Sequence, residues 1–150
     1  MNPGSEMERK TTIRSFEDLE CWQACRRLRI FVVEVVLPAL PKEERYRLGD
    51  QLLRAVRSTT ANIAEGYGRF HYLDNAKFCS NARGSCWEVL DHLLTASDER
   101  LIAVELIASG RALVERAVIL LNGYINYLKR AQTGESARTT EPNEPITSNR

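Results

Sequence analysis

The sequence predicts an all-α protein, an up-down-up-down antiparallel four-helix bundle, and three observations support this. Apolar residues recur at spacings of three and four along four long stretches, as on a helix with one buried face. No stretch shows the two-residue alternation of a half-buried strand. Prolines and glycines between the stretches leave short connections, which place consecutive helices side by side and antiparallel.

The chain length and composition indicate a single globular domain. The 150 residues are enough for one core, and 43% hydrophobic with 27% charged residues is typical of globular rather than disordered chains. We expect the bundle to occupy residues 15–131. Residues 1–14 are polar without periodicity and predict a flexible lead. Residues 132–150, rich in Thr, Glu, Pro and Asn, predict a disordered tail.

The first helix is predicted over residues 16–37. Ser15 and Asp18 resemble a capping box at its start, and Pro38 and Pro41 are expected to end it. Residues at helical spacing form its inner face: Trp22, Cys25, Leu28, Val32 and Val35. This period outweighs the β-branched run within it, which by itself would suggest a strand.

The second helix begins near Leu48 and is predicted to end at Gly66 and Gly68, because glycine adopts the positive φ of a helix C-terminus. One face carries its inner residues: Leu48, Leu52, Ala55, Thr59, Asn62 and Ile63. Asn62 is the unusual member. A buried amide without partners costs about 1–3 kcal/mol, so we expect Asn62 to contact polar atoms of the third helix near residues 83–85.

A polar lock between the second and third helices is therefore predicted, formed by Asn62, Glu65, Gly66, Gly84 and Ser85. Glycine inside a helix costs about 1 kcal/mol relative to alanine. We expect a close approach of the two helices at Gly84 to offset this cost. A ligand or nucleic-acid pocket and a subunit contact stay open as alternative roles for the same residues.

The third and fourth helices are predicted over residues 73–98 and 103–131. The third has a narrow coiled-coil-like seam: Cys79, Ala82, Cys86, Val89, Leu93 and Ala96. The fourth has a double apolar stripe: Leu106, Leu113, Leu120 and Tyr127 beside Ile107, Val114, Leu121 and Leu128. This stripe is wider than one helix of a monomeric bundle needs, and an exposed stripe invites association. We therefore expect a homo-oligomer.

Charge is unevenly distributed along the chain, although the net charge is only +1. Residues 54–83 carry a net charge of +3, from two acidic residues and five basic ones: Arg54, Arg57, Arg69, Lys77 and Arg83. Residues 88–115 carry −4, from six acidic and two basic residues. Three interpretations stay open: an ordinary solvated surface, pairing of the two stretches between subunits, and contact with RNA or DNA through the basic residues.

No residue pattern indicates an enzyme, a cofactor or a metal. Cys79 and Cys86 are about 10 Å apart along a helix, too far to share a tetrahedral ion. We expect the four cysteines to be buried free thiols. Neither His71 nor His92 has a nucleophile pattern beside it, and the glycines do not fit a phosphate-binding loop. Without a secretory or membrane-spanning segment, we expect a cytoplasmic protein.

Five segments, taken in order, resemble the four-helix-bundle family also called ribosomal RNA intervening-sequence proteins. They are residues 15–23 (SFEDLECWQ), 41–48 (PKEERYRL), 61–69 (ANIAEGYGR), 82–85 (ARGS) and 121–125 (LNGYI). The resemblance covers about residues 15–130. It implies a bacterial four-helix bundle that assembles as a ring-shaped homopentamer, many members of which are encoded inside ribosomal RNA gene insertions.

The resemblance extends to the accessory proteins of diversity-generating retroelements, which are basic pentameric bundles that partner a reverse transcriptase and nucleic acid. Residues 45–50 (RYRLGD) are similar to that branch. The chain departs from the family pattern at two positions. Thr60 stands where the family usually has proline, and the family's glycine between the third and fourth helices falls near Arg100.

Overall fold

The computed structural model describes residues 12–139, with side chains to residue 134, and all of its regular structure is helical. There are four long helices. They are α1 (Glu20–Phe31, continued by Val32–Val36 and Leu37–Ala39), α2 (Leu48–Tyr67), α3 (Tyr72–Asp98) and α4 (Val104–Thr139). Each helix packs on its neighbour in sequence, and α4 packs against α1 to close the bundle. The predicted four-helix bundle is confirmed.

One core runs through the bundle, and all four helices contribute to it. Among its fully buried side chains are Leu28 of α1, Ile63 of α2, Leu93 of α3 and Leu121 of α4. Every member of the seam predicted for α3 is buried, as the 3-4 spacing indicated. No helix in the described part of the chain combines the length and apolarity needed to span a bilayer.

The predicted capping box is present, but it caps a short 3₁₀ turn rather than α1 itself. The backbone N–H of Glu17 donates to Ser15 Oγ at 3.2 Å, and the N–H of Ser15 donates to Asp18 Oδ2 at 3.2 Å. The turn covers Phe16–Asp18, and α1 begins only at Glu20. The box therefore sets the entry of the chain into the bundle, four residues before the helix.

The first helix ends at Ala39, between the two prolines that were expected to end it and two residues later than predicted. Pro38 itself does not end the helix, because the helix widens to accommodate it. Proline has no N–H and its ring clashes with the carbonyl four residues earlier in a regular α-helix. Here Val32–Val36 form a π-helical segment, in which the N–H of Leu37 donates to Val32 O, five residues back. This widened turn lets the helix continue to Ala39.

The helix α2 ends where the sequence predicted, at Tyr67 with Gly68 as its C-cap residue, but the predicted positive φ was wrong. Gly68 has φ −75°, and no described glycine has a positive φ. Instead, Arg100 takes the left-handed conformation, with φ 56°, immediately after α3. There the N–H of Leu101 donates to Ala96 O at 2.8 Å, the six-to-one bond of a glycine-type helix end.

The helix α4 is longer than predicted and continues to Thr139. The first eight residues of the predicted disordered tail, 132–139, are therefore helical. Their local sequence contains no proline, so nothing in the backbone stops the helix after residue 131. The rest of the predicted tail and residues 1–11 of the predicted lead lie outside the described residues.

Candidate functional site

The amide of Asn62 is half-buried, and its bonds stay within α2. Its Nδ2 donates to Ser58 O at 2.8 Å and to Ser58 Oγ at 2.9 Å. Ser58 Oγ then lies 2.9 Å from Ser85 Oγ on α3. The predicted link between Asn62 and α3 therefore runs through Ser58, a residue that the sequence analysis did not select. Ser58 lies four residues before Asn62 on the same face of the helix, and this spacing could have identified it.

Two other members of the predicted lock lie elsewhere. Glu65 is exposed and forms an ion pair with Arg69, one turn later, at 2.9 Å. Gly84 is exposed, and a Cβ built on it would meet nothing within 4 Å. The prediction of a close helix approach at Gly84 was wrong, because this residue points outward from α3 rather than towards α2.

The close approach occurs at Gly66. A Cβ on Gly66 would lie 2.8 Å from both Asn75 Oδ1 and Phe78 Cβ on α3, which is closer than atoms pack. Asn75 is buried, and its Nδ2 donates to the Tyr124 hydroxyl on α4 at 3.1 Å. Its Oδ1 accepts a bond from Cys79 Sγ at 3.5 Å. Asn75 is thus the buried amide that joins α3 to α4 beneath α2.

The sequence contained a signal for Asn75, since it lies four residues before Cys79 and extends the α3 seam by one step. Burial is the main reason that the pKa of Tyr124 rises to about 12. The phenol therefore stays neutral at physiological pH and accepts the amide bond. Asn75 is buried and Tyr124 is half-buried at the edge of a cavity that both residues line. Their bond holds α3 and α4 together.

The four cysteines are buried free thiols, as predicted. Cys25 Sγ lies 3.8 Å from Cys86 Sγ, joining α1 to α3 across the core. Burial, with a smaller effect of neighbouring thiols, raises the pKa of Cys21 and of Cys79 to about 12. Such thiols remain protonated and unreactive. Among the described residues, no cluster of three or more histidine, cysteine or carboxylate side chains could hold a metal.

The five predicted basic residues do not form one surface. Arg69 is held by Glu65 and lies over the Phe78 ring, 4.8 Å from its centre. Arg83 Nη1 donates to Asn122 Oδ1 on α4 at 2.7 Å. The other three, Arg54, Arg57 and Lys77, are exposed. Arg57 lines a groove on the α1 side of α2, so the packing of α2 and α3 turns Arg57 and Arg83 in opposite directions.

A groove between α1 and α2 collects arginines that the sequence analysis did not group. Its upper section is lined by Phe16, Trp22, Arg29, Arg57, Thr60, Ala61 and Ala64. Arg29 Nη1 donates to Thr60 Oγ1 at 2.6 Å. Further along the same helices, a second section is lined by Val33, Leu37, Pro38, Arg45, Gly49, Asp50 and Leu53. Trp22 and Arg29 lie seven residues apart on one helical face, and this spacing could have predicted it.

The wide stripe on α4 reaches the surface. One half of the double stripe is buried: Ile107, Val114, Leu121 and Leu128. In the other half Leu106, Leu113 and Leu120 are half-buried, and Tyr127 is 55% exposed. Ile119, on the outer side of α4, is 61% exposed. A groove between α1 and α4 exposes Ile119, Leu120 and Tyr127 together.

Apolar side chains are also exposed on α3, beside α4. Trp87 is 46% and Leu94 is 37% exposed. Asp91 lies between them in sequence and is exposed, as is Glu115 on α4. This side of the bundle therefore combines apolar and acidic surface.

Comparison with known proteins places the bundle in a family. A profile of the family described as 23S rRNA-intervening sequence protein matches residues 17–123, a span that reaches all four helices and covers well over half of the chain. No curated protein matches the chain.

Proposed function

The chain belongs to the 23S rRNA-intervening sequence protein family, and from that premise we propose that it is a non-enzymatic, homo-oligomeric scaffold. The resemblance of its motifs implies a pentameric ring. The observation that supports self-association is the exposed apolar surface centred on α4, where Ile119 and Tyr127 stand with more than half of their surface in solvent. Contiguous apolar surface of this kind marks an interaction site.

The same surface also contains an exposed glycine inside a helix. Gly123 lies between Ile119 and Tyr127, and a Cβ on it would meet nothing within 4 Å. Packing within the chain therefore does not require glycine there, although glycine costs about 1 kcal/mol relative to alanine. A second subunit that packs closely against the α4 backbone at Gly123 would explain why glycine is present there.

Size-exclusion chromatography with multi-angle light scattering tests the scaffold proposal. Five chains of 17.1 kDa amount to 85.5 kDa, and a mass of 17.1 kDa at micromolar concentration would refute self-association. An Ile119→Lys variant should have a lower mass with unchanged helical circular dichroism, because Ile119 is exposed and its replacement leaves the core intact. Gln51→Lys, at an exposed polar position on α2, is the matched control and should keep the wild-type mass.

A second candidate function is that of a nucleic-acid-binding accessory protein, acting with ribosomal RNA or with a reverse transcriptase. The observation that favours it is that Arg54, Arg57 and Lys77 are exposed and form no ion pair with any described side chain. Arg69 and Arg83 already bond to Glu65 and Asn122. They would contribute only through the atoms of their guanidinium groups that solvent can reach. Binding should weaken steeply with salt, by a slope of about 0.9 per phosphate contact on duplex DNA.

Fluorescence anisotropy with labelled RNA and DNA, over a series of salt concentrations, tests this candidate. Arg54→Gln and Lys77→Gln should each lower the salt slope by roughly one contact. Undetectable binding at about 50 mM salt, where such contacts are strong, would exclude it and leave the scaffold proposal unaffected.

A further inference from the structure

The pentameric ring proposed above imposes a geometric requirement on each subunit. A two-fold interface uses the same patch on both partners, whereas a ring with an odd number of subunits uses two different patches in a head-to-tail contact. Each subunit must therefore carry two complementary surfaces that cannot meet within one chain. The assignment of these two surfaces rests on the proposed oligomer.

The first surface is the groove between α1 and α2, which we call the basic groove. Its floor is apolar and accessible to solvent, with Trp22, Ala61 and Ala64 at one end. Arg29 and Arg57 line this end and Arg45 lines the second section, and none of the three has an ion pair among the described side chains. Asp50 is the one carboxylate that lines its second section. The groove is therefore apolar at the centre and positively charged at the rim.

The second surface lies on α3 and α4 and is called the acidic face: Trp87, Asp91, Leu94 and Glu115. The bond between Arg83 and Asn122 sets the register of these antiparallel helices. Asp91 lies about two turns after Arg83 and Glu115 about two turns before Asn122, so both carboxylates stand at one level, roughly 11 Å from that bond. Trp87 and Leu94, exposed beside them, provide its apolar centre. The exposed Ile119 lies one turn after Glu115 on α4 and borders this face.

Among the side chains that the structure describes, neither surface has a charged partner. The described side chains form two ion pairs, Glu65 with Arg69 and Glu88 with His92, and neither involves a residue of the basic groove or the acidic face. In the closed order of the bundle, the α1–α2 side lies opposite the α3–α4 side. The arginines of one surface thus cannot reach the carboxylates of the other in the same subunit.

We propose that the basic groove of one subunit binds the acidic face of the next copy of the chain, head to tail around the ring. The apolar centres bury one another, and the charged rims fix orientation and exclude the like-with-like contact of two grooves. Ala61 and Ala64 leave room for the protruding Trp87 and Leu94. This pairing makes the contact directional, which an apolar stripe by itself does not.

Charge reversal provides a test with an internal rescue. The variant Arg45→Glu/Arg57→Glu makes the groove negative, and Asp91→Arg/Glu115→Arg makes the face positive. All four positions are exposed, so folding should be unchanged. Each double variant should fall from the wild-type mass towards 17.1 kDa. The quadruple variant restores opposite charges and should return to the wild-type mass.

Mixing the two double variants gives a second prediction. Each groove then meets an oppositely charged face on the other variant, so the mixture should form pairs or alternating chains heavier than either component by itself. It should not regain the wild-type mass, because two alternating variants cannot close a ring of five without one like-charge contact. Lys129→Glu/Arg130→Glu, which makes the same change of charge at exposed positions outside both surfaces, should keep the wild-type mass. The effect of reversal should shrink as salt screens the charges.

The possible results separate this pairing from the scaffold proposal. A monomeric wild type would refute both. A wild-type oligomer whose mass is unaffected by either double variant, or a quadruple variant that stays dissociated, would overturn the pairing alone. RNA binding that disappears with Arg45→Glu/Arg57→Glu while the mass stays constant would also overturn it, because nucleic acid would then occupy the groove.

Discussion

Replacing Gly66 with alanine tests the central packing contact between α2 and α3. A Cβ at this position would lie 2.8 Å from Asn75 Oδ1 and 2.8 Å from Phe78 Cβ, with Asn75 O at 3.0 Å. The Phe78 atom is attached directly to the α3 backbone, so it cannot turn away as the end of a flexible side chain would. We expect Gly66→Ala to destabilise the protein.

The magnitude follows from two opposing effects. Alanine favours a helix over glycine by about 1 kcal/mol. Inserting a methyl group into a packed contact costs typically about 1–3 kcal/mol, and displacing Asn75 weakens its bonds to Tyr124 and Cys79, each worth about 1 kcal/mol. The clash and the lost bonds outweigh the helix preference, so the free energy of unfolding should fall by about 1–3 kcal/mol.

Gly84→Ala is the matched control, since it is the same substitution on the facing helix at a site with open space. No atom lies within 4 Å of the added Cβ, so only the helix preference remains. The free energy of unfolding should rise by up to about 1 kcal/mol. The two alanine variants should therefore shift stability in opposite directions.

Urea denaturation followed by circular dichroism measures both changes, with every variant at the same protomer concentration because self-association adds to apparent stability. Gly66→Ala should have a lower midpoint than wild type, and Gly84→Ala an equal or higher one. If Gly66→Ala is as stable as wild type, the reasoning about this contact is refuted.

Three further predictions concern single residues. Arg100→Gly should raise the free energy of unfolding by about 1 kcal/mol in thermal melts, because φ 56° strains any residue with a Cβ; a lower melting temperature would contradict this. Tyr124→Phe should lower it by about 1–3 kcal/mol in urea, because Asn75 Nδ2 loses its acceptor, whereas Tyr127→Phe should not. Stability should fall as pH rises from about 9 towards 12, because the unfolded Cys21 thiol ionises at pKa 9.0 and the folded one only near 12; Cys21→Ala should fall less steeply.

Much of the fold could be predicted because it depends on local periodicity. Residues of one helical face must share a buried side wherever that helix packs, so the seam through Cys79 and Leu93 was predicted without knowing what it packs against. The capping box at Ser15 is equally local, since its partners are three residues apart. The width of the apolar stripe on α4 also predicted that part of it would reach the surface, as Tyr127 does.

The polar residues at the helix contacts were harder to assign. Asn62 and Asn75 are chemically the same, and both lie near a predicted inner face. A rotation of a few tens of degrees about the helix axis decides whether an amide is buried between helices or bonds to its own helix. That rotation is set by how whole helix surfaces interlock. For this reason Asn75 forms the buried lock and Asn62 does not.

The roles of the glycines were equally hard to predict from the sequence. A glycine in a helix signals either a cap, a close approach or an open surface, and spacing does not distinguish them. Gly66 proved to be the close approach and Gly84 an open surface. The left-handed end of α3 was formed by Arg100, which carries no such signal in its side chain.

The sequence by itself determined four amphipathic helices, their order, the buried thiols and the family, because these depend on residue type and on spacing along one helix. The tertiary structure decided which side chains face each other across helices. It separated the basic residues of 54–83 onto different sides and brought Arg29 of α1 beside Arg57 and Thr60 of α2. Charges distant in the chain become neighbours only when helices pack, so a candidate contact surface belongs to the bundle rather than to any one segment.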